Sequence, residues 1–193
     1  MSFTRTTLAI LLLAAPVMAD DASHHAPYAG EQAREIASLS ADDLAELAAG
    51  GGWGLARSAE LNGVPGPTHL LELADEIGLD DGQRAAIVAI RDEMRADAIA
   101  AGERFVAAER ALDAAFTGAV PDATTLERLV RNAGTARAEL RLVHLSAHLR
   151  TMPLLTAVQV ERYGVLRGYA DDSCEAVPKG HDPEMWRRHN GCG

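Results

Sequence analysis

The sequence predicts an all-α protein built on a long antiparallel helical hairpin with short flanking helices. Three observations carry that expectation. Small or apolar residues recur in steps of three and four through Ile87, Ile90, Met94, Ala98, Ala101, Phe105, Ala108, Leu112 and Ala115, the period of a helix with one buried stripe. The same stepping returns at Leu126, Leu129, Ala133, Ala136, Leu140, Val143 and Ala147. Between the two runs lies only a short reversal marked by Gly118 and Pro121-Asp122, and long helices joined so briefly must lie antiparallel. Aromatic residues are only 4% of the chain, so its core is made of small side chains. These bury little area each but let helices approach closely, which favours long rods sharing a narrow seam.

The elements follow in chain order. Arg5 precedes an apolar run at 8–15, and Val17-Met18-Ala19 offers the small residues that a signal peptidase needs. Residues 1–19 therefore read as a secretory signal, and the mature chain as a periplasmic protein with no membrane insertion. That apolar run is about half the ~20 residues required to cross a bilayer. Removing the segment takes one positive charge and moves the formal charge from −10 to −11, a balance that repels nucleic acid and anionic lipid.

Residues 20–29 lack periodicity and read as a flexible leader; 30–67 read as short helices with a Gly/Pro linker. Ser40 and Asp43 form an acidic variant of the capping box, opening a helix that Gly50-Gly51-Gly52 ends. A turn or two at 55–61 stops at Asn62-Gly63, and Val64-Pro65-Gly66-Pro67 makes a rigid bend before a helix at 68–77. Asp80 and Gln83 can cap each other reciprocally and start the first rod, expected over 81–117 and roughly 55 Å long. The second rod ends near Pro153. Thr156 and Gln159 then cap a last helix at 158–167, closing a hairpin domain at 68–169, and a polar tail occupies 170–193.

The second rod carries more apolar surface than one seam uses. At 100° per residue Leu140, Val143 and Ala147 fall on one side, whereas Leu142, Leu145 and Leu149 fall on nearly the opposite side. The first stripe faces the hairpin partner. The second requires the short helices, a second copy in a homodimer, or a client protein.

Two helix starts with related sequences, Leu155-Thr156-Ala157-Val158-Gln159 and Leu79-Asp80-Asp81-Gly82-Gln83, flank the hairpin of a chain with an export signal. In this the chain resembles the CpxP/Spy group of periplasmic stress chaperones and the related CnrX/ZraP heavy-metal resistance proteins. The first copy fits the group's L-T-x-x-Q pattern fully, and the second replaces Thr by Asp, which preserves capping. The likeness covers about 68–169. It implies a four-helix hooked hairpin, usually dimeric and curved, with no ATP and no catalytic residues. Such proteins bind unfolded or partly folded clients on a concave face or restrain a membrane-bound signalling partner. Leu142, Leu145, Leu149 and Leu154 are the residues expected to line such a groove here.

His144, His148 and Met152 lie at i, i+4 and i+8, a ridge of imidazole and thioether donors suited to Zn, Ni, Co or Cu. His148-x3-Met152 also resembles the His-x3-Met element of CnrX-type proteins. In those relatives a preceding short helix carries His-x3-His; here His69 stands at the first place and Leu73 at the second. A structural account of the same histidines pairs them with Glu93 or Glu109 across the hairpin, or sets them beside the seam. In the tail, His181, Met185, His189 and Cys192 invite loose metal scavenging, His24 and His25 more weakly. An oxidising compartment lets Cys174 and Cys192 close a terminal disulfide loop, with a metal-binding or redox-active pair as the alternative. Enzyme readings lack parts: there is no Gly-x-Ser-x-Gly, His-Glu-x-x-His or phosphate-cradling loop after a strand. Gly50 to Gly54 follows no strand pattern and reads as a hinge.

Overall fold

The computed structural model of the chain describes residues 26–171 and 177–189. It is all-α, and the described residues contain no β-strand, only an isolated bridge between Ile36 and Leu39. The chain divides into two units, Met1–Gln32 and Ala33–Gly193. The described end of the first is a succession of tight turns, with the Gly30 N–H donating to the Gln32 side chain at 2.7 Å. The expected signal segment and most of the leader lie outside the described residues.

The second unit opens with the strand-like residues Ile36 and Leu39, both buried, and then α1 (Ala41–Ala48). Ser40 caps α1 as its sequence requires: its hydroxyl accepts from the Asp43 N–H at 3.1 Å, and the Asp43 carboxylate accepts from the Ser40 N–H at 2.8 Å. The helix ends in a Schellman motif, Gly51 N–H to Glu46 O and Gly50 N–H to Leu47 O. Gly50 takes φ +70°, and a Cβ there would sit 2.9 Å from the Arg95 carbonyl oxygen. Only glycine meets both the left-handed turn and the close approach to the neighbouring rod.

Short α2 (Arg57–Glu60) leads to the Pro-rich bend, which is fastened to the second rod. The Thr151 hydroxyl donates to the Pro65 carbonyl at 2.6 Å, and His148 Nδ1 donates to the Val64 carbonyl at 2.8 Å. The helix expected at 68–77 starts one residue earlier, with Pro67 at its first position, and is divided at Leu73 into α3 (Pro67–Glu72) and α4 (Ala74–Ile77). The distortion at Leu73 leaves Leu70, Ala74 and Ile77 all buried in one cluster.

The two rods are α5 (Asp81–Gly118) and α6 (Ala123–Thr151), joined by four residues and packed along their length. Their buried stripe is the predicted one: Ile87, Ile90, Ala98, Ala101 and Phe105 against Leu129, Ala133, Ala136, Leu140 and Ala147. Asp122, expected only as part of the reversal, caps α6 by accepting from the Thr125 N–H at 2.9 Å. A 3-10 turn (Met152–Leu154) leads into α7 (Ala157–Leu166).

The two Gln-ended caps do more than start helices. Gln83 Nε2 donates to Gln159 Oε1 at 2.8 Å, and Gln159 Nε2 donates back to Gln83 Oε1 at 2.9 Å. Each amide also reaches the chain end beside the other box, Gln83 to the Leu154 carbonyl and Gln159 to the Gly78 carbonyl. The two boxes thus form one clasp at the open end of the hairpin.

Residues 33–67, from the segment read as short helices with a Gly/Pro linker, belong to the same unit as the hairpin. Ile36, Leu39, Leu47 and Leu55 close over Ala98, Ala101, Phe105, Ala136 and Leu140. Trp53 anchors this cover: its indole N–H donates to Asp43 at 2.7 Å, its ring lies 5.5 Å from Phe105, and the Arg137 guanidinium stands 5.4 Å from its centroid. A second cluster of Leu70, Ala74, Ile77, Leu79, Ile87 and Tyr163 fills the clasp end. The polar tail contains α8 (Pro183–His189), begun by Asp182 accepting from the Met185 N–H with Pro at the first position.

Candidate functional site

Two features of the hairpin bear on function: its uncovered face and a cavity on the covered side. The cover formed by residues 33–67 takes the stripe containing Ala136 and Leu140, so the leucines opposite stay outside. Leu142 is 64% and Leu149 69% exposed. Beside them runs a shallow hollow of about 300 Å³ whose apolar floor, Met94, Val143 and Ala147, is bordered by Asp97, Arg104, Glu139 and Arg150. Arg104 pairs with Glu139 at 3.6 Å, and Arg150 with Glu93 at 2.7 Å. The strip is therefore apolar with a rim of both signs.

The other two leucines depart from the expectation. Leu145 is half-buried. Leu154 is drawn out of the strip, because the 3-10 turn after α6 rotates it against the Leu70 and Tyr163 cluster while Gln83 holds its carbonyl.

The cavity lies between the two core clusters. On α5 the clasp cluster uses Ile87 and the cover cluster begins at Ala98; Arg91, Met94 and Arg95 between them line a space of about 700 Å³. The glycine run, expected to be a hinge, forms another wall with Gly50, Gly51, Gly52 and Gly54. His69, His144 and His148 all line this space, whereas Met152 does not.

The histidines are bound into the fold to different degrees. His148 is buried, its Nδ1 on Val64 and its Nε2 3.8 Å from Glu60. Its carboxylate neighbour is thus Glu60, not the expected Glu93 or Glu109, which are held by Arg150 and Ser38. The reason is that residues 33–67 place α2 against this side of α6. A Cβ on Gly66 would stand 2.6 Å from His148 Nε2, so the bend holds the ring in place. His69 Nδ1 pairs with Glu72 at 2.9 Å.

His144 is only 3% exposed, and its Nε2 has no hydrogen-bond partner among the described residues. Burial holds this imidazole below its ordinary protonation range, and the proximity of a second imidazole, His148, adds to the effect, opposed by Glu46 and the Gly51 carbonyl. Glu60 accepts a short hydrogen bond from the Tyr163 hydroxyl, whose pKa is raised by burial first and then by that carboxylate.

The expected metal ridge is accordingly split, with the imidazoles in the cavity and the thioether away from it. No group of three or more His, Cys, Asp or Glu able to hold a metal ion occurs among the described residues. Four guanidinium groups around the cavity, Arg57, Arg91, Arg95 and Arg167, also oppose a cation there. In the tail His181 packs edge-on against Trp186 at 5.2 Å. Cys174, Cys192, His24 and His25 lie outside the described residues, and with them the expected disulfide.

Glu60, Tyr163 and Arg167 were not singled out as site residues from the sequence, and no local pattern marks them; the glycine run was legible as a chain break but not as a cavity wall. No helix among the described residues is long and apolar enough to cross a membrane. Comparison with protein-family models, with curated proteins and with solved structures finds no match to this chain.

Proposed function

We propose that the chain is an exported, ATP-independent, non-enzymatic holding protein of the CpxP/Spy type. It binds unfolded or partly folded clients on the uncovered face of its hairpin. The observation that carries this reading is the leucine strip left outside the fold, with Leu142 and Leu149 about two-thirds exposed beside an apolar hollow. Covering each leucine gains roughly 1–2 kcal/mol, so a client held by a few such contacts is retained weakly and released without an energy source. The mixed charges at the rim favour no single client sequence. A second copy of the chain is the other natural occupant, and a membrane-bound signalling partner a third.

The test is aggregation of a reduced, unfolding test protein followed by light scattering. The purified chain suppresses the signal near stoichiometric ratio, and the double variant L142D/L149D, altered only at exposed positions, loses the effect while keeping its helical circular dichroism. A chain that fails to suppress aggregation at large molar excess ends the proposal. Sedimentation of both proteins at micromolar concentration shows whether the same strip makes a homodimer.

The heavy-metal reading has one observation in its favour, three imidazoles on one cavity. Titration with Zn²⁺, Ni²⁺, Co²⁺ and Cu²⁺ tests it: tight binding that His148→Ala removes would support it over the holding role.

A further inference from the structure

Two side-chain polar atoms are buried without any partner among the described residues, His144 Nε2 and Arg167 Nε. Both belong to residues lining the same 700 Å³ cavity. A buried polar atom left unpaired costs about 1–3 kcal/mol, and native proteins keep few of them, so their coincidence at one space calls for a common explanation.

The charge around the space supplies it. The chain carries a formal charge of −10, yet the cavity presents four arginines against one carboxylate, Glu60, which is already engaged by the Tyr163 hydroxyl. The arginines are only partly used. Arg95 Nε donates to the Ala49 carbonyl, Arg91 pairs with its neighbour Asp92, and Arg167 places Nη2 3.3 Å from the Tyr169 hydroxyl. Guanidinium groups with spare N–H donors match carboxylate geometry. The rest of the wall is apolar, with Ala56, Leu61, Pro67 and Met94. A space of this size with an apolar wall and a few converging polar groups is typical of small-molecule sites.

We propose that this cavity binds a small organic acid, with its carboxylate on Arg57 and Arg167, a polar substituent on His144 Nε2, and its apolar body against Leu61, Pro67 and Met94. The Arg167 Nε–H gains the acceptor it lacks. The inference is independent of client holding, which uses the exposed Leu142 and Leu149 on another side of α6, although Met94 borders both spaces.

The experiment uses 4-(4-hydroxyphenyl)butyrate as probe, with the corresponding alcohol 4-(4-hydroxyphenyl)butan-1-ol, inorganic phosphate and Zn²⁺ as comparisons, read by calorimetry and by thermal melting of the full chain. The acid binds one per chain and raises the Tm. Arg57→Gln, at an exposed position, and Arg167→Gln each weaken it by about tenfold, while L142D/L149D leaves it unchanged. The proposal is overturned if the acid does not bind, or if the alcohol or phosphate binds as tightly. It is equally overturned if both arginine variants bind normally, or if L142D/L149D abolishes binding, which would mark adsorption to the outer leucine strip. Zn²⁺ stabilisation that displaces the acid and disappears in His144→Gln would make the cavity a cation site instead.

Discussion

The clasp between the two capping boxes makes a quantitative prediction. Gln83 Oε1 accepts from the Asp80 N–H and from Gln159 Nε2, and Gln83 Nε2 donates to Leu154 O and Gln159 Oε1. Gln159 makes an equivalent set to the Thr156 N–H, Gly78 O and the same two Gln83 atoms. Each side chain therefore takes part in four hydrogen bonds, two of them shared. At about 0.5–1.5 kcal/mol net per bond, and with water replacing some partners at this half-buried site, Gln83→Ala or Gln159→Ala alone costs roughly 2–3 kcal/mol. The corresponding fall in Tm is about 4–12 °C for a chain of this size.

The double variant loses the shared bonds only once, so its cost falls short of the sum of the singles by about 1–3 kcal/mol. Urea unfolding followed at 222 nm, with equal m-values, measures all four corners of the cycle. Gln83→Glu sharpens the test: it keeps the cap acceptor but sets a carboxylate against Leu154 O and Gln159 Oε1, and it destabilises as much as Ala or more. Additive single costs, within about 0.3 kcal/mol, would show that the boxes are independent local caps and refute the clasp.

Other consequences follow from the cover, the glycine turn and the cavity. Phe105→Ala removes a ring that is 2% exposed and packs on Trp53; it costs about 3–5 kcal/mol and raises amide exchange in residues 36–55 before the clasp opens. Gly50→Ala forces a side chain into φ +70° against the Arg95 carbonyl and destabilises by roughly 1–3 kcal/mol, the reverse of the usual gain from Gly→Ala in a helix, as read by the urea midpoint. Because burial lowers the His144 pKa in the folded state, the unfolded chain binds this proton first. Stability is then full above the unfolded value near about 6.5 and falls as pH drops through it. His144→Gln flattens that part of the urea-midpoint profile between neutral and mildly acid pH. The carboxylates of Asp43 and Asp122, held low chiefly by hydrogen bonds from Ser40 and Thr125, contribute stability that is lost only at lower pH.

Helix existence and starts were legible because the responsible hydrogen bonds close within a few residues. Ser40, Asp80 and Thr156 each satisfy an N–H three positions on, and the three-and-four stepping of α5 and α6 encodes their buried stripe directly. The same local logic holds at Asp182-Pro183, which starts α8. By contrast, Leu73 gives no local sign that it divides a helix.

The sequence by itself determined the helical class, the antiparallel rods, their seam and the strip of leucines opposite it, since each depends on periodicity and near-neighbour bonding. Only the tertiary structure decided that residues 33–67 cover one face, that Gln83 meets Gln159, that Leu154 turns inward and that three histidines face one cavity ringed by arginines. Those outcomes join segments about 70–100 positions apart, as in the Tyr163 contact with Glu60. Such pairings arise from apolar burial summed over the whole unit, a non-directional force that leaves no spacing pattern in the chain for any one pair.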